Sequence, residues 1–189
     1  MEDGYIKFKI ERIDKKIIND SDIKELNIFR KKLKDMNLVG MKDNGVGFGN
    51  ISIRYKKGFI ITASATGGIK ELTSNDYSYV YKHNLNENKI FCKGLKNASS
   101  ESLSHAVIYE KNKNINSVIH IHSKKLWDKY YNKLPTTDPK ASYGTVEIAK
   151  DIKNKIEGDE GIIVMGGHEE GIISYSKNLS NAFKKIKKL

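Results

Sequence analysis

Between Ser117 and His122 the chain reads Ser-Val-Ile-His-Ile-His, and this run restricts the fold more than any other stretch. It is short, β-branched and bounded by polar residues, which is the composition of a strand. Strand side chains alternate between faces, so Val118, His120 and His122 share one face while Ile119 and Ile121 take the other, against a core. Two imidazoles at i and i+2 therefore look into one space that a borderline-soft divalent ion such as Zn²⁺ can bridge. A His-x-His pair by itself is just as readily a polar strand face. His168 adds weight to the metal reading. It stands in Gly166-Gly-His-Glu-Glu-Gly171, directly after the apolar run Gly161–Met165, so a strand leads into a glycine-rich corner that presents one imidazole. Three histidines with an open fourth position form the donor set of a catalytic zinc site, not a closed structural one. In the same corner, Glu169 or Glu170 can reach the site as a second carboxylate or remain surface charge.

Glu101 is the candidate for proton chemistry. Ser99 or Ser100 suits a helix N-cap, and Leu103, Ala106, Val107 and Ile108 fall at helical spacing in the run to Tyr109. Glu101 then lies in the first turn of a helix packed on the histidine strand. A carboxylate beside a metal can coordinate it at rest and act as a base once substrate displaces it. The plainer alternative is a favourable first-turn charge. His105, at i+4, shares the Glu101 face and is expected to support or pack rather than ligate.

The remaining chain places these segments in a scaffold. Tyr5 to Ile13 alternates apolar and polar residues and reads as a half-buried strand. Ser21 or Asp22 caps a helix with Ile23, Leu26, Phe29, Leu33 and Met36 on one face. Asn44-Gly-Val-Gly-Phe-Gly49 is not a dinucleotide loop, because it precedes the strand Ile51–Tyr55 instead of joining a strand to a helix. It reads as a flexible loop whose N–H groups can approach an anion, with Asn50 as a further donor. A second strand, Phe59–Ala63, leads into Ser64-Ala-Thr-Gly-Gly68, whose small donors could hold a phosphate. Tyr77–His83 and Lys89–Cys92 form a hairpin, with His83 at its exposed end. Helices are expected over 124–131, 145–156 and 178–187, and strands over 161–165 and 171–175. Strands first and interleaved helices later predict an α/β fold with a central, largely antiparallel sheet flanked by helices.

The 189 residues, 30% charged and 38% apolar, suit one domain with a real core. We expect a single domain over residues 1–189, with residues 1–20 as an N-terminal strand extension. One cysteine, Cys92, excludes an internal disulfide and fits a reducing cytoplasm. No signal peptide is expected at Met1–Tyr5, and no apolar run approaches a membrane span. The net charge of +11 comes from scattered lysines, so nucleic acid is not the expected partner.

Taken together, the segments resemble the class II aldolase/adducin family: Ser99-Ser-Glu-x3-His105, then Val118-x-His-x-His-Ser123, then the late His168. Gly49-Asn-x-Ser-x-Arg54 is similar to the family's G-N-x-S-x-R strand, Ile61-Thr-Ala-Ser64 to its I-T-P-[ST], and Tyr143-Gly-Thr145 to its Y-G-T segment. The match runs from about Leu38 to the C-terminus. The resemblance implies a three-layer fold, a homotetramer, and one zinc per chain on His120, His122 and His168, with Glu101 as acid/base. It also implies a phosphate held by Asn50, Ser64, Ser99 and Ser100. The family's phosphate-loop glycine becomes Ala65 without a gap, or Gly67 with one. A proton-donating tyrosine of the family has no fixed match among Tyr130, Tyr131 and Tyr143. The expected activity is that of a zinc-dependent lyase acting on a small hydroxy-carbonyl compound, a sugar phosphate, through a metal-stabilised enediolate. A dehydratase or epimerase on the same metal, or a non-enzymatic adducin-like module, are the alternatives.

Overall fold

The computed structural model describes residues 5–189; Met1–Gly4, the start of the expected N-terminal extension, lie outside the described residues. One eight-stranded sheet carries the fold. In chain order its strands are β1 (Lys9–Ile13), β4 (Asn50–Tyr55), β5 (Gly58–Thr62), β6 (Tyr77–Asn84), β7 (Lys89–Lys93), β8 (Ser117–His122), β9 (Gly161–Val164) and β10 (Gly171–Ser176). A separate two-stranded ribbon pairs β2 (Gly40–Met41) with β3 (Gly47–Phe48). The spatial order is β1-β7-β6-β5-β4-β8-β10-β9. Every neighbouring pair is antiparallel except β1 with β7. The strand expected over 5–13 is confined to Lys9–Ile13 and forms the sheet edge.

Helices cover both faces. On one, α2 (Ser102–Lys111) and α4 (Val146–Asn154) pack with Leu103, Val107, Ile108, Ile148 and Ile152 against Ile61, Val80 and Val118. On the other, α1 (Lys24–Asp35) and α5 (Leu179–Lys187) bring Leu26, Leu33 and Ile186 onto Ile60, Ile119 and Ile121. The short α3 (Lys124–Tyr130) follows β8. This is the expected three-layer α/β architecture, with a mainly antiparallel sheet in the middle. The sequence predicted one buried face for β8. All six of its residues are buried, because helices lie on both sides and Val118 belongs to one core while Ile119 and Ile121 belong to the other.

Two local expectations change. Met36 does not join the apolar face of α1; it follows the helix end and is 43% exposed. Asn37, at φ 56°, turns the chain there. The stretch 44–49, expected as a flexible loop, is the turn and second strand of the β2–β3 ribbon. Asn44 and Gly45 make the turn: Gly45 takes φ 80°, and the Asn44 side chain accepts the Val46 N–H at 3.1 Å.

Candidate metal centre and its cavity

Register assembles the site. In the β4–β8 pair Asn50 lies opposite His120, and in the β10–β8 pair Gly171 lies opposite His122. His120, His122 and His168 each offer a ring nitrogen, and the three nitrogens lie within 4.8 Å of one another. The Nε2 atoms of His122 and His168 are 2.9 Å apart. All three residues are at most 6% exposed. Burial, and then the neighbouring imidazoles, hold His120 far below its ordinary pKa, so it is neutral and a competent donor. Gly171 is required by this packing. A Cβ there would lie 2.5 Å from His168 Cδ2 and 3.2 Å from His120 Nε2.

The polar atoms around His120 fit a bound cation. Its Nε2 is buried and has no hydrogen-bond partner among the described residues; neither does Asn50 Oδ1. Asn50 Nδ2 lies 3.3 Å from His120 Nδ1. The two ends of an amide are told apart by their hydrogen bonds alone, and exchanging them lets Oδ1 accept from Nδ1–H. That tautomer leaves the Nε2 lone pair for a metal, and the amide Nδ2 then takes the unpartnered position as a donor that needs an acceptor.

A cavity of about 240 Å³ opens in front of the three imidazoles. Glu101, 3% exposed, reaches it from the N-cap position of α2, with Oε2 accepting the Ser104 hydroxyl at 2.8 Å. The helix thus starts one residue later than Ser100 capping predicts and two later than Ser99 capping predicts. Ser99 instead makes the turn that leads in: its carbonyl accepts the Ser102 N–H at 3.0 Å, and its hydroxyl accepts the Glu101 N–H at 3.3 Å. Ser64, Ser99, Ser100 and Asn50 all line the same cavity.

Of the three tyrosines weighed, Tyr143 lies in the cavity, 4.7 Å ring to ring from His168, with the Lys7 ammonium 3.9 Å above its ring. Tyr130 bonds the Leu189 carbonyl and Tyr131 packs on Trp127, away from the imidazoles. The acidic pair divides: Glu169 turns outward to Lys124 at 3.5 Å, and Glu170 turns inward, 3.5 Å from His122 Nδ1 and 3.0 Å from Lys42 Nζ. His83 pairs with Glu110 outside the cavity.

His105 lies behind the site, not in it. It is wholly buried, its Nδ1 is 2.7 Å from Ser52 Oγ, and burial pushes its pKa down to about 3. Ser52 Oγ also meets the Tyr109 hydroxyl at 2.8 Å. Two residues further along β4, Arg54 donates to the carbonyls of Tyr109 and Asn112, at and just beyond the last turn of α2. Alternate residues of one strand, 50, 52 and 54, thus secure His120, the middle of α2 and its C-terminal end.

One residue that sequence reasoning overlooked holds the small-residue loop. Arg30 is 5% exposed, and its guanidinium donates to the carbonyls of Thr66 and Ile69, both at 2.9 Å, and of Gly67 at 3.3 Å. The available signal was a cation at helical spacing among Leu26, Phe29 and Leu33. In the loop itself Ala65 adopts φ 60°, a conformation that favours glycine, which supports the gapless match to the family's glycine. Gly67 has a different reason, since a Cβ there would meet the Gly40 carbonyl oxygen at 2.0 Å.

With the fold and site in view, the comparisons agree. The Class II Aldolase and Adducin N-terminal domain matches residues 36–127. Among solved structures, L-fuculose 1-phosphate aldolase is 25% identical, with 88% of this chain and 81% of its own covered and a TM-score of 0.66. The sugar-phosphate aldolase of Thermotoga maritima shares the fold at 16% identity, covering 87% of this chain and 88% of its own, TM-score 0.66. So does YgbL of Klebsiella pneumoniae, whose description spans aldolase, epimerase and decarboxylase, at 15% identity, 90% and 86% coverage and TM-score 0.66. No curated protein matches by sequence. The matched residues 36–127 and the shared fold support a class II aldolase/adducin family member. Among the described residues, no helix is long and apolar enough to cross a membrane.

Proposed function

We propose that this protein is a metal-dependent lyase of the aldolase type, cleaving or forming a carbon–carbon bond in a small, phosphorylated hydroxy-carbonyl compound. The observation that carries this reading is the convergence of three buried imidazoles and one buried carboxylate on a single cavity. His120, His122 and His168 would hold one divalent ion, zinc by the preference of an all-imidazole set. When bound, that ion supplies Lewis acidity to a carbonyl and its neighbouring hydroxyl, the chemistry that stabilises an enediolate.

The chain's own residues supply the remaining steps. Glu101 moves the proton; its position at a helix N-cap, with Ser104 on one oxygen, fixes the carboxylate toward the cavity. Tyr143 is the phenol within reach for the complementary proton exchange. Ser64, Ser99 and Ser100 take the phosphate, with the Asn50 amide donating from its free end. A helix N-terminus beside Ser99 and Ser100 adds its dipole to that subsite. L-fuculose 1-phosphate aldolase, by its name, acts on a phosphorylated sugar, which supports the phosphate assignment.

The test is product analysis. Zinc-loaded protein is incubated with a set of ketose 1-phosphates, and triose phosphate and aldehyde are followed. Cleavage that is abolished by chelation and restored by zinc is expected, with Glu101→Gln losing about 10²–10⁴-fold in rate while keeping its metal. Loss of water or an epimerised product without cleavage would replace the lyase reading.

A further inference from the structure

The glycine-rich corner contains a carboxylate that the family resemblance does not account for. Glu170 is a non-glycine residue at φ 72°, immediately before Gly171. Its neighbour Glu169 is turned to the surface against Lys124. The Glu170 backbone is tied to the end of the histidine strand by the Ser123 N–H, which donates to its carbonyl at 2.9 Å. From this left-handed position its side chain points back, placing Oε2 3.5 Å from His122 Nδ1 and 3.0 Å from Lys42 Nζ. The other nitrogen of His122, Nε2, is the one that meets His168 at 2.9 Å.

Lys42 belongs to the turn of the β2–β3 ribbon, where its N–H donates to Val46 at 2.8 Å. The same ribbon lays Phe48 against His122, ring centroids 5.6 Å apart, and forms one wall of the cavity. His122 is therefore held on two sides by one device: an aromatic ring from the ribbon, and a carboxylate anchored to the ribbon by Lys42.

We propose that Glu170 is a positioning residue for His122: its carboxylate, 3.5 Å from Nδ1, closes to accept the Nδ1–H when an ion is bound and so commits Nε2 to the metal, with Lys42 clamping that carboxylate and coupling the cavity wall to the ion. A backbone conformation unfavourable to glutamate is retained because it aims the side chain at the imidazole. A carboxylate behind a ligating histidine raises ligand basicity and fixes the tautomer, and loss of such a partner costs about 10–100-fold in metal affinity. The inference rests on the metal reading of the three histidines.

The experiment is a zinc competition titration against a chromophoric chelator, run on wild type, Glu170→Gly, Glu170→Gln and Lys42→Met, with the melting temperature of each metal-free protein measured alongside. Glu170→Gly is the separating variant, because glycine suits φ 72° and its metal-free fold should melt no lower than wild type. The expected result is zinc affinity reduced about 10–100-fold in Glu170→Gly, with smaller reductions in Glu170→Gln and Lys42→Met. Cobalt-substituted Glu170→Gly should also show a shifted visible spectrum. Affinity within about twofold of wild type in Glu170→Gly would overturn the proposal, since a lost carboxylate partner should cost far more. So would wild-type affinity in Glu170→Gln together with a lower metal-free melting temperature in Glu170→Gly. If wild type itself takes up no zinc, it is the metal reading that fails.

Discussion

The buried histidine behind the site makes the metal-free fold acid-sensitive by an amount that can be worked out. His105 has no exposed surface, and burial pushes its pKa from the ordinary 6.5 to about 3. The folded pKa is the lower, so as pH falls the unfolded chain takes the proton first. Stability is unaffected above about pH 6.5, declines between about 6.5 and 3, and levels off below. Each pH unit between the folded and unfolded pKa values is worth about 1.36 kcal/mol. The linkage is therefore about 2 kcal/mol at pH 5 and about 5 kcal/mol when complete. His105→Gln removes the titrating group. Urea unfolding of chelator-treated wild type and variant, at about pH 7 and pH 5 with protein concentration and ionic strength fixed, gives the difference. Wild type should lose about 2 kcal/mol more than the variant over that interval. His120 shifts in the same direction, first from burial and then from His122 and His168, all of which both proteins keep; His105 is its smallest cause, so its contribution largely cancels. Equal losses would show that His105 is protonated inside the fold and would refute the neutral His105–Ser52–Tyr109 arrangement.

Other perturbations address separate parts of the account. Gly171→Ala forces a Cβ to 2.5 Å from His168 Cδ2, and metal affinity should fall at least about 10-fold, read by the same zinc competition. Arg30→Met strips donors from the carbonyls of Thr66, Gly67 and Ile69. That should cost about 1–3 kcal/mol, visible as a melting temperature about 2–12 °C lower and a raised KM for phosphorylated substrate. Ala65→Gly, at φ 60°, should leave the fold intact and raise the melting temperature slightly, since glycine removes the left-handed penalty.

Much of this molecule is legible in its sequence because its strands are β-branched and its helices amphipathic. Ser117–His122, Gly161–Val164 and α5 follow directly from period and composition. The three histidines and Glu101 could be singled out because strand alternation and helix capping act locally. What escaped depends on contacts between distant segments. The pairing that sets Asn50 against His120 joins residues 70 apart, and the Lys42–Glu170 pair joins residues further apart still. The β2–β3 ribbon was missed because two-residue strands have no period to detect, leaving the Asn44-Gly45 turn as the sole cue. Arg30 was missed because a helical pattern marks a position as inward without saying that a cation there will meet three loop carbonyls. The fate of Glu169 and Glu170 is decided by one backbone angle, φ 72° at Glu170, which residue type does not reveal.

The central claim is that His120, His122 and His168 hold one metal ion, and its most direct test is the metal content of the purified protein beside a His120→Ala, His122→Ala double variant. The account predicts about one zinc per chain in wild type, lost in the variant while its circular dichroism and cooperative melting persist. Wild type that stays metal-free after zinc is resupplied, or a variant that keeps its zinc, would contradict it.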